Sequence, residues 1–237
     1  MNRTTLASAL FALALAFAPR AAACATVAGG ARADAPEFRR ASKTSAASAP
    51  DAAAFEFEVG GFKYHVVANG NGRRTKGDKT RRFNLRLDGR DYVEGLRFAV
   101  YEGDLLLVCE LYDGEERTGL VTLLEQPSMR ALWSRPVPAA EVGEPLRDGH
   151  SLYLTAFGFV ARLDLRTGEY AWLHEELGGA LPGREAARDG REAARPLNSF
   201  ETPMLARDAV LFRERPVYNP PRTLVVNRKT GEILRIE

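Results

Sequence analysis

Between residues 55 and 237 apolar and polar positions alternate in short runs cut by turn residues. Residues 159–172 show this most clearly. Phe159, Ala161, Leu163 and Leu165 alternate with Val160, Arg162, Asp164 and Arg166, so a pleated segment sends the first set to one face. Arg166-Thr167-Gly168-Glu169 breaks the alternation, and Gly168 can take the positive φ that a hairpin turn needs. Tyr170 and Trp172 restart the alternation on a return strand. Weaker copies surround this unit. Phe55, Phe57 and Val59 alternate before Gly60-Gly61, and Phe62, Tyr64 and Val66 follow. A polar loop is expected at 69–80, then Phe83, Leu85 and Leu87, a turn at Asp88-Gly89, and a return strand through Tyr92 and Val93. A second unit runs from 103 to 108, turns at Asp113-Gly114, continues over 120–124, turns near Pro127-Ser128 and ends at Leu132-Trp133. The third opens at 148–154. The fourth runs through Val210, Leu211 and Phe212 and then over 224–234.

Aligning the second turn of each unit on Gly89, Met129, Gly168 and Gly231 gives spacings of 40, 39 and 63 residues. The first two match periods of about 40–45 residues typical of propeller blades. The third holds an insertion at 178–199, without which 41 residues remain. The motif Asp164-x-x-Thr167-Gly168-x-x-x-Trp172 resembles the tryptophan-docking motif of the PQQ-like quinoprotein β-propeller family. The resemblance implies that Asp164 and Thr167 tie the turn, Gly168 makes it, and Trp172 docks on the next blade. Arg162 departs from the small Ala usual two positions before the Asp. The other copies are degenerate: the second keeps Trp133 but has Ser128-Met129, and the fourth keeps Thr230-Gly231 but has Asn227 and Arg235.

The expected fold class is therefore all-β, a small β-propeller-like array of about four degenerate blades over 55–237. An open arc of blades and a β-sandwich are the alternatives. Ring closure is expected through residues 55–59, placed in or beside the blade of the C-terminal hairpin. One helical candidate lies in the insertion, where 183–188 and 190–195 repeat the sequence GREAAR, although Gly190 breaks a continuous helix.

Residues 1–23 read as an export signal: Arg3, an apolar run from 6 to 17, and Ala21-Ala22-Ala23 as a small-residue cleavage site. The run is shorter than the roughly 20 residues that span a bilayer. Cys24 follows directly. Ordinary cleavage is the first expectation and lipidation at Cys24 the second, since Ala21 and Arg20 depart from lipoprotein signals. Residues 24–54, rich in Ala, Ser and Pro, read as a disordered linker or tether. The chain is thus expected to be exported, periplasmic or extracellular, with a membrane anchor only through Cys24.

Of 237 residues, 45% are hydrophobic and 27% charged, and the net charge is only +2. So balanced a charge does not by itself imply a nucleic-acid partner. His65, His150 and His174 fall in different units without the paired spacing of a zinc site, and Cys109 lies in an apolar strand. No nucleophile elbow or phosphate-binding glycine loop is present. One stretch is lopsided: Arg73, Arg74, Lys76, Lys79, Arg81 and Arg82 are opposed only by Asp78. Such a cluster binds polyanions such as lipopolysaccharide, anionic lipid or nucleic acid, or forms a solvated loop. With no aromatic residue at 69–82, a base-stacking platform is not expected.

Catalytic members of the resembled family are longer and bind the quinone with calcium, and no position here matches those ligands. The expectation is a non-catalytic binding or scaffolding protein of a bacterial cell envelope. It would have no cofactor, and its partner would be another protein or an envelope polymer. A periplasmic quinoprotein-type redox enzyme, or its accessory subunit, is the alternative.

Overall fold

The structure, a computed structural model, describes residues 38–44, 53–87, 92–175, 177, 197, 199–216 and 221–237. The export signal, Cys24, the Asp88-Gly89 turn and the helical candidate lie outside the described residues. The alternating runs become eighteen strands: β1 (Arg39–Arg40), β2 (Ser42–Thr44), β3 (Ala54–Val59), β4 (Phe62–Val67), β5 (Asn71–Lys76), β6 (Lys79–Asn84), β7 (Tyr92–Tyr101), β8 (Asp104–Tyr112), β9 (Arg117–Leu124), β10 (Ala131–Val137), β11 (Leu146–Asp148), β12 (Ser151–Ala156), β13 (Phe159–Asp164), β14 (Glu169–His174), β15 (Met204–Leu205), β16 (Ala209–Arg213), β17 (Thr223–Asn227) and β18 (Ile233–Ile236).

They form four antiparallel sheets, ordered β2-β3-β4-β5-β6, β1-β7-β8-β9-β10, β11-β12-β13-β14 and β15-β16-β17-β18. In the order their main strands occur along the chain these are the first to fourth sheets. Each is a meander of neighbouring hairpins, the arrangement of a propeller blade, and the two stacked sheets of a sandwich are not what forms.

Three apolar clusters join the sheets in series. Phe55, Phe57, Tyr64 and Phe83 of the first sheet pack with Leu96, Phe98, Leu105 and Leu107 of the second. The opposite face of the second sheet, with Leu106, Val108, Val121 and Leu123, meets Leu152, Leu154, Phe159 and Leu163 of the third. Tyr153, Val160 and Trp172 on the far face of the third meet Val210, Phe212, Leu224 and Val226 of the fourth. The two middle sheets therefore bury both faces, which explains the near-continuous apolar run 105–109 where simple alternation fails.

The segment expected to be a disordered linker is corrected at 38–44. Phe38 reaches the cluster between the second and third sheets. Ala41 packs on the cluster between the first and second, and its N–H donates to the Leu96 carbonyl at 2.9 Å. With these anchors, β1 edges the second sheet and β2 the first, stapling the two together. The polar loop expected at 69–80 is also corrected: β5 and β6 are paired from Asn71–Asn84 to Lys76–Lys79. Only Arg74 among the polar side chains of β5 is buried, so backbone pairing at the sheet margin holds a strand that carries no apolar side chain.

Candidate functional site

The turn that precedes the last strand of the second, third and fourth sheets, and β5 of the first, is a repeated device. In the third sheet, the Asp164 carboxylate accepts from the Arg166 backbone N–H at 2.9 Å and from its guanidinium at 3.0 and 2.6 Å. These bonds, chiefly the one from the Arg166 side chain, hold its pKa down at about 2. The Gly168 N–H donates to the Asp164 carbonyl at 2.8 Å, and Thr167 Oγ1 accepts from the Glu169 N–H at 3.2 Å. Gly168 has φ 71°. A Cβ there would stand 2.5 Å from Trp133, so the position needs glycine both for its conformation and for space.

Across the sheets a docking series emerges. Trp133, four residues after Met129, donates through Nε1 to the Leu165 carbonyl at 3.0 Å. Trp172, four residues after Gly168, donates to the Arg228 carbonyl at 3.2 Å. Its ring is 8% exposed and lies where a Cβ on Gly231 would stand, 2.6 Å from Cγ. Arg162, the departure from the family pattern, sends its guanidinium to the same Arg228 carbonyl at 3.1 Å. The long side chain is thus an extra tie between the third and fourth sheets. Tyr170 Oη donates to the Pro136 carbonyl at 2.7 Å, and burial pushes its pKa up to about 12.

The same position in the first sheet is Arg74, four residues after Gly70. Its guanidinium donates to the Gln126 carbonyl, which occupies the place of Leu165 and Arg228 in the next turn. Arg74 therefore stands where the tryptophans stand. The first-repeat turn is Gly70, which corrects the alignment on Gly89: Tyr92 opens β7 of the second sheet and is not a return strand of the first. In the fourth sheet the position is Arg235, whose side chain is 58% exposed and pairs with Glu237. The slot over Gly70 is filled from within the first sheet, because a Cβ there would meet Leu87 at 2.8 Å.

This overturns closure through 55–59. Those residues lie in β3, between β2 and β4, and pack against the second sheet. None of the three clusters joins the first and fourth sheets among the described residues. Among the described residues the array is an open arc, and its two end faces differ. On the first sheet, Glu56, Glu58, Lys63, Arg73 and Arg82 are exposed on the side away from the second sheet, and Glu56 meets His65 at 3.1 Å. On the fourth sheet the register row Met204, Leu211, Val225 and Arg235 is mixed, with Val225 buried, Leu211 half-buried and Arg235 exposed. Met204 is 48% exposed and Leu234, at the β17–β18 bulge, 46%.

The six basic residues divide. Arg73 pairs with Arg82 and Arg74 with Arg81 across β5 and β6, so alternation puts Arg73 and Arg82 on one face and Arg74, Lys76, Lys79 and Arg81 on the other. The second group lines a cleft of about 630 Å³ together with Phe62 and Pro127. Sequence reasoning missed both of these, since Phe62 comes from β4 and Pro127 from the next sheet's turn. The Arg74 guanidinium lies 4.4 Å, and the Lys76 ammonium 4.6 Å, from the Phe62 ring centroid.

The histidines stay apart. His150 Nδ1 is 2.6 Å from the Tyr101 hydroxyl, and His174 Nε2 donates to the Gly231 carbonyl at 2.6 Å. Among the described residues no group of three or more His, Cys, Asp or Glu side chains is placed to hold a metal ion, and no helix is long and apolar enough to cross a membrane. Cys109 is buried in β8. Leu177, just before the expected insertion, and Leu197, within it, are buried in the cluster shared with the fourth sheet and joined by a 2.8 Å backbone hydrogen bond.

No family model matches the chain, and no curated protein does. Among solved structures it is similar to BamB from Moraxella catarrhalis, with 16% identity over 75% of this chain and 61% of that one and a TM-score of 0.37. It is also similar to the quinohemoprotein alcohol dehydrogenase of Comamonas testosteroni, with 13% identity over 77% of this chain and 34% of that one and a TM-score of 0.46. The quinohemoprotein alcohol dehydrogenase ADHIIG of Pseudomonas putida HK5 gives 15% identity over 84% and 36% and a TM-score of 0.47. The chain spans between about a third and three fifths of these proteins.

Proposed function

We propose that this chain is an exported binding or scaffolding module of a bacterial cell envelope, without catalysis of its own. The observation that carries this reading is the inequality of the two ends of the arc. The first sheet shows charge outward, as a terminal repeat does when it meets solvent. The fourth shows Met204 on one edge strand and Leu234 on the other, with exposed Arg213 and Arg235 beside them, and among the described residues Arg235 docks on no turn. An exposed sheet face that mixes Met and Leu with Arg suits a protein interaction surface. The export signal and the tether read from the sequence would place that surface outside the cytoplasm, and anchoring through Cys24 would hold it at a membrane.

A photo-crosslinking residue placed at Leu234 in an exporting host tests the reading, with the same residue at Glu56 as the control. One defined protein adduct at 234 and none at 56 is the expected result. No adduct at 234, or equal labelling at both, rejects it. The non-catalytic part is tested separately: stoichiometric uptake of the quinone with calcium by the purified chain would replace it with the redox-enzyme reading.

A further inference from the structure

We propose that the cleft between the β5–β6 hairpin and the Gln126-Pro127 turn is a binding site for a compact, multiply charged phosphate ester. This site lies at the other end of the arc, and it stands whether or not the fourth sheet docks a protein.

Three observations carry it. Arg74, Lys76, Lys79 and Arg81 converge on one cleft, and no carboxylate is among its lining residues. Charges strung along a groove suit an extended polymer, whereas four cations around one cavity suit a ligand with several anionic oxygens on one centre. Second, Arg74 is only 9% exposed, and what holds it is neutral: the carbonyls of Gln126 and Pro127 and the ring of Phe62. A buried guanidinium ordinarily meets a carboxylate. Here its charge is fixed in position and left uncancelled, so an arriving anion does not have to order it. Third, Tyr64, directly opposite Arg74 in the β4–β5 register, sets a buried phenol beside that guanidinium, and burial raises its pKa, so it adds no negative charge there. Phe62 and Pro127 add an apolar wall, which suits the C–H face of a sugar or glycerol that carries the phosphate.

The phosphate could be carried by a free small molecule or by a lipid headgroup, and the test separates these. Inorganic pyrophosphate binding to the whole purified chain is measured by calorimetry at low ionic strength. Co-sedimentation is measured with vesicles containing phosphatidic acid, whose headgroup is a phosphomonoester, and with phosphatidylcholine vesicles as the blank. Two double variants remove the same charge: Lys79→Gln with Arg81→Gln in the cleft, and Arg73→Gln with Arg82→Gln on the opposite face. All four side chains are exposed, so neither variant disturbs the core. The cleft variant should lose affinity by about tenfold or more, and the opposite-face variant by less than about twofold. Pyrophosphate binding with that pattern assigns a free, multiply charged phosphate compound. Vesicle binding alone with that pattern assigns a headgroup. Equal losses from the two variants reduce the effect to net charge and overturn the site, as does failure of the wild-type chain to bind either probe.

Discussion

Trp172→Ala should cost about 3–5 kcal/mol of folding stability. The ring is nearly enclosed: its centroid lies 6.2 Å from that of Tyr153 and 6.3 Å from that of Phe212, across the junction of the third and fourth sheets. Removing roughly 200 Å² of buried aromatic surface at about 25 cal/mol/Å² sets an upper figure near 5 kcal/mol, and residual burial in the unfolded chain lowers it by about 10–40%. The lost indole hydrogen bond adds little, because Arg162 still donates to the Arg228 carbonyl at 3.1 Å. The cost is therefore one of packing. Trp172→Phe, which keeps most of the ring area, should cost about 1–2 kcal/mol. Urea denaturation followed by circular dichroism measures both, with hydrogen exchange of β16 and β17 as the local readout. The fourth sheet stands at the end of the series and should loosen first. A loss below about 1 kcal/mol for the alanine variant would show that the indole does not join the sheets.

Gly168→Ala should cost more than about 2 kcal/mol, because left-handed strain adds to the clash with Trp133. At Gly114, φ 101° with nothing within 4 Å of an added Cβ, the same change should cost only about 1 kcal/mol of backbone strain; equal costs in thermal unfolding would refute the steric part. Asp164 has a folded pKa of about 2 against an ordinary 3.8, so its stabilising contribution is complete above the ordinary value and is lost as pH falls through about 2. Arg166→Ala should raise that pKa toward the ordinary range in a carboxyl NMR titration, and an unmoved value would show that Arg166 is not the cause. Arg235→Ala, at the docking position of the last sheet, should change stability by less than about 0.5 kcal/mol, while Leu87→Ala over Gly70 should cost about 1–2 kcal/mol; a loss above about 1.5 kcal/mol at Arg235 would mean that this residue is docked and the arc is closed.

Much of the fold was legible because the repeats keep period-2 alternation and mark their turns. The four-unit count and the turns at Met129, Gly168 and Gly231 were readable on that basis, even though Met129 takes φ 60° without being glycine. What was not legible depended on contacts distant in sequence. Arg74 looked like one of six solvated cations. Its docking role appears only once the Gln126 carbonyl is brought to it from 52 residues away. Average composition hid Phe38 in an Ala- and Ser-rich stretch, and one buried ring was enough to order the strands beside it. The cleft was half visible, since its cations are contiguous while Phe62 and Pro127 arrive from other elements. Closure through 55–59 was misjudged because a strand's alternation states that one face is buried and does not state against which sheet.

The openness of the arc follows from how each junction is made. Every junction needs a side chain four residues past one turn and an open slot over the next turn. Arg74, Trp133 and Trp172 each find one. A fourth junction would need Arg235 to reach the slot over Gly70, where Leu87 already sits, and would need an apolar face on the first sheet, where Glu56, Glu58, Lys63, Arg73 and Arg82 stand instead. The same two features prevent the fourth sheet of one copy from stacking head-to-tail on the first sheet of another, the arrangement that leads to open filaments. The first end therefore terminates the series by its own side chains. The last end differs from it: exposed Met204 and Leu234 stand on its two edge strands beside exposed Arg213 and Arg235, so in the proposed reading a partner would meet a mixed apolar and cationic face there.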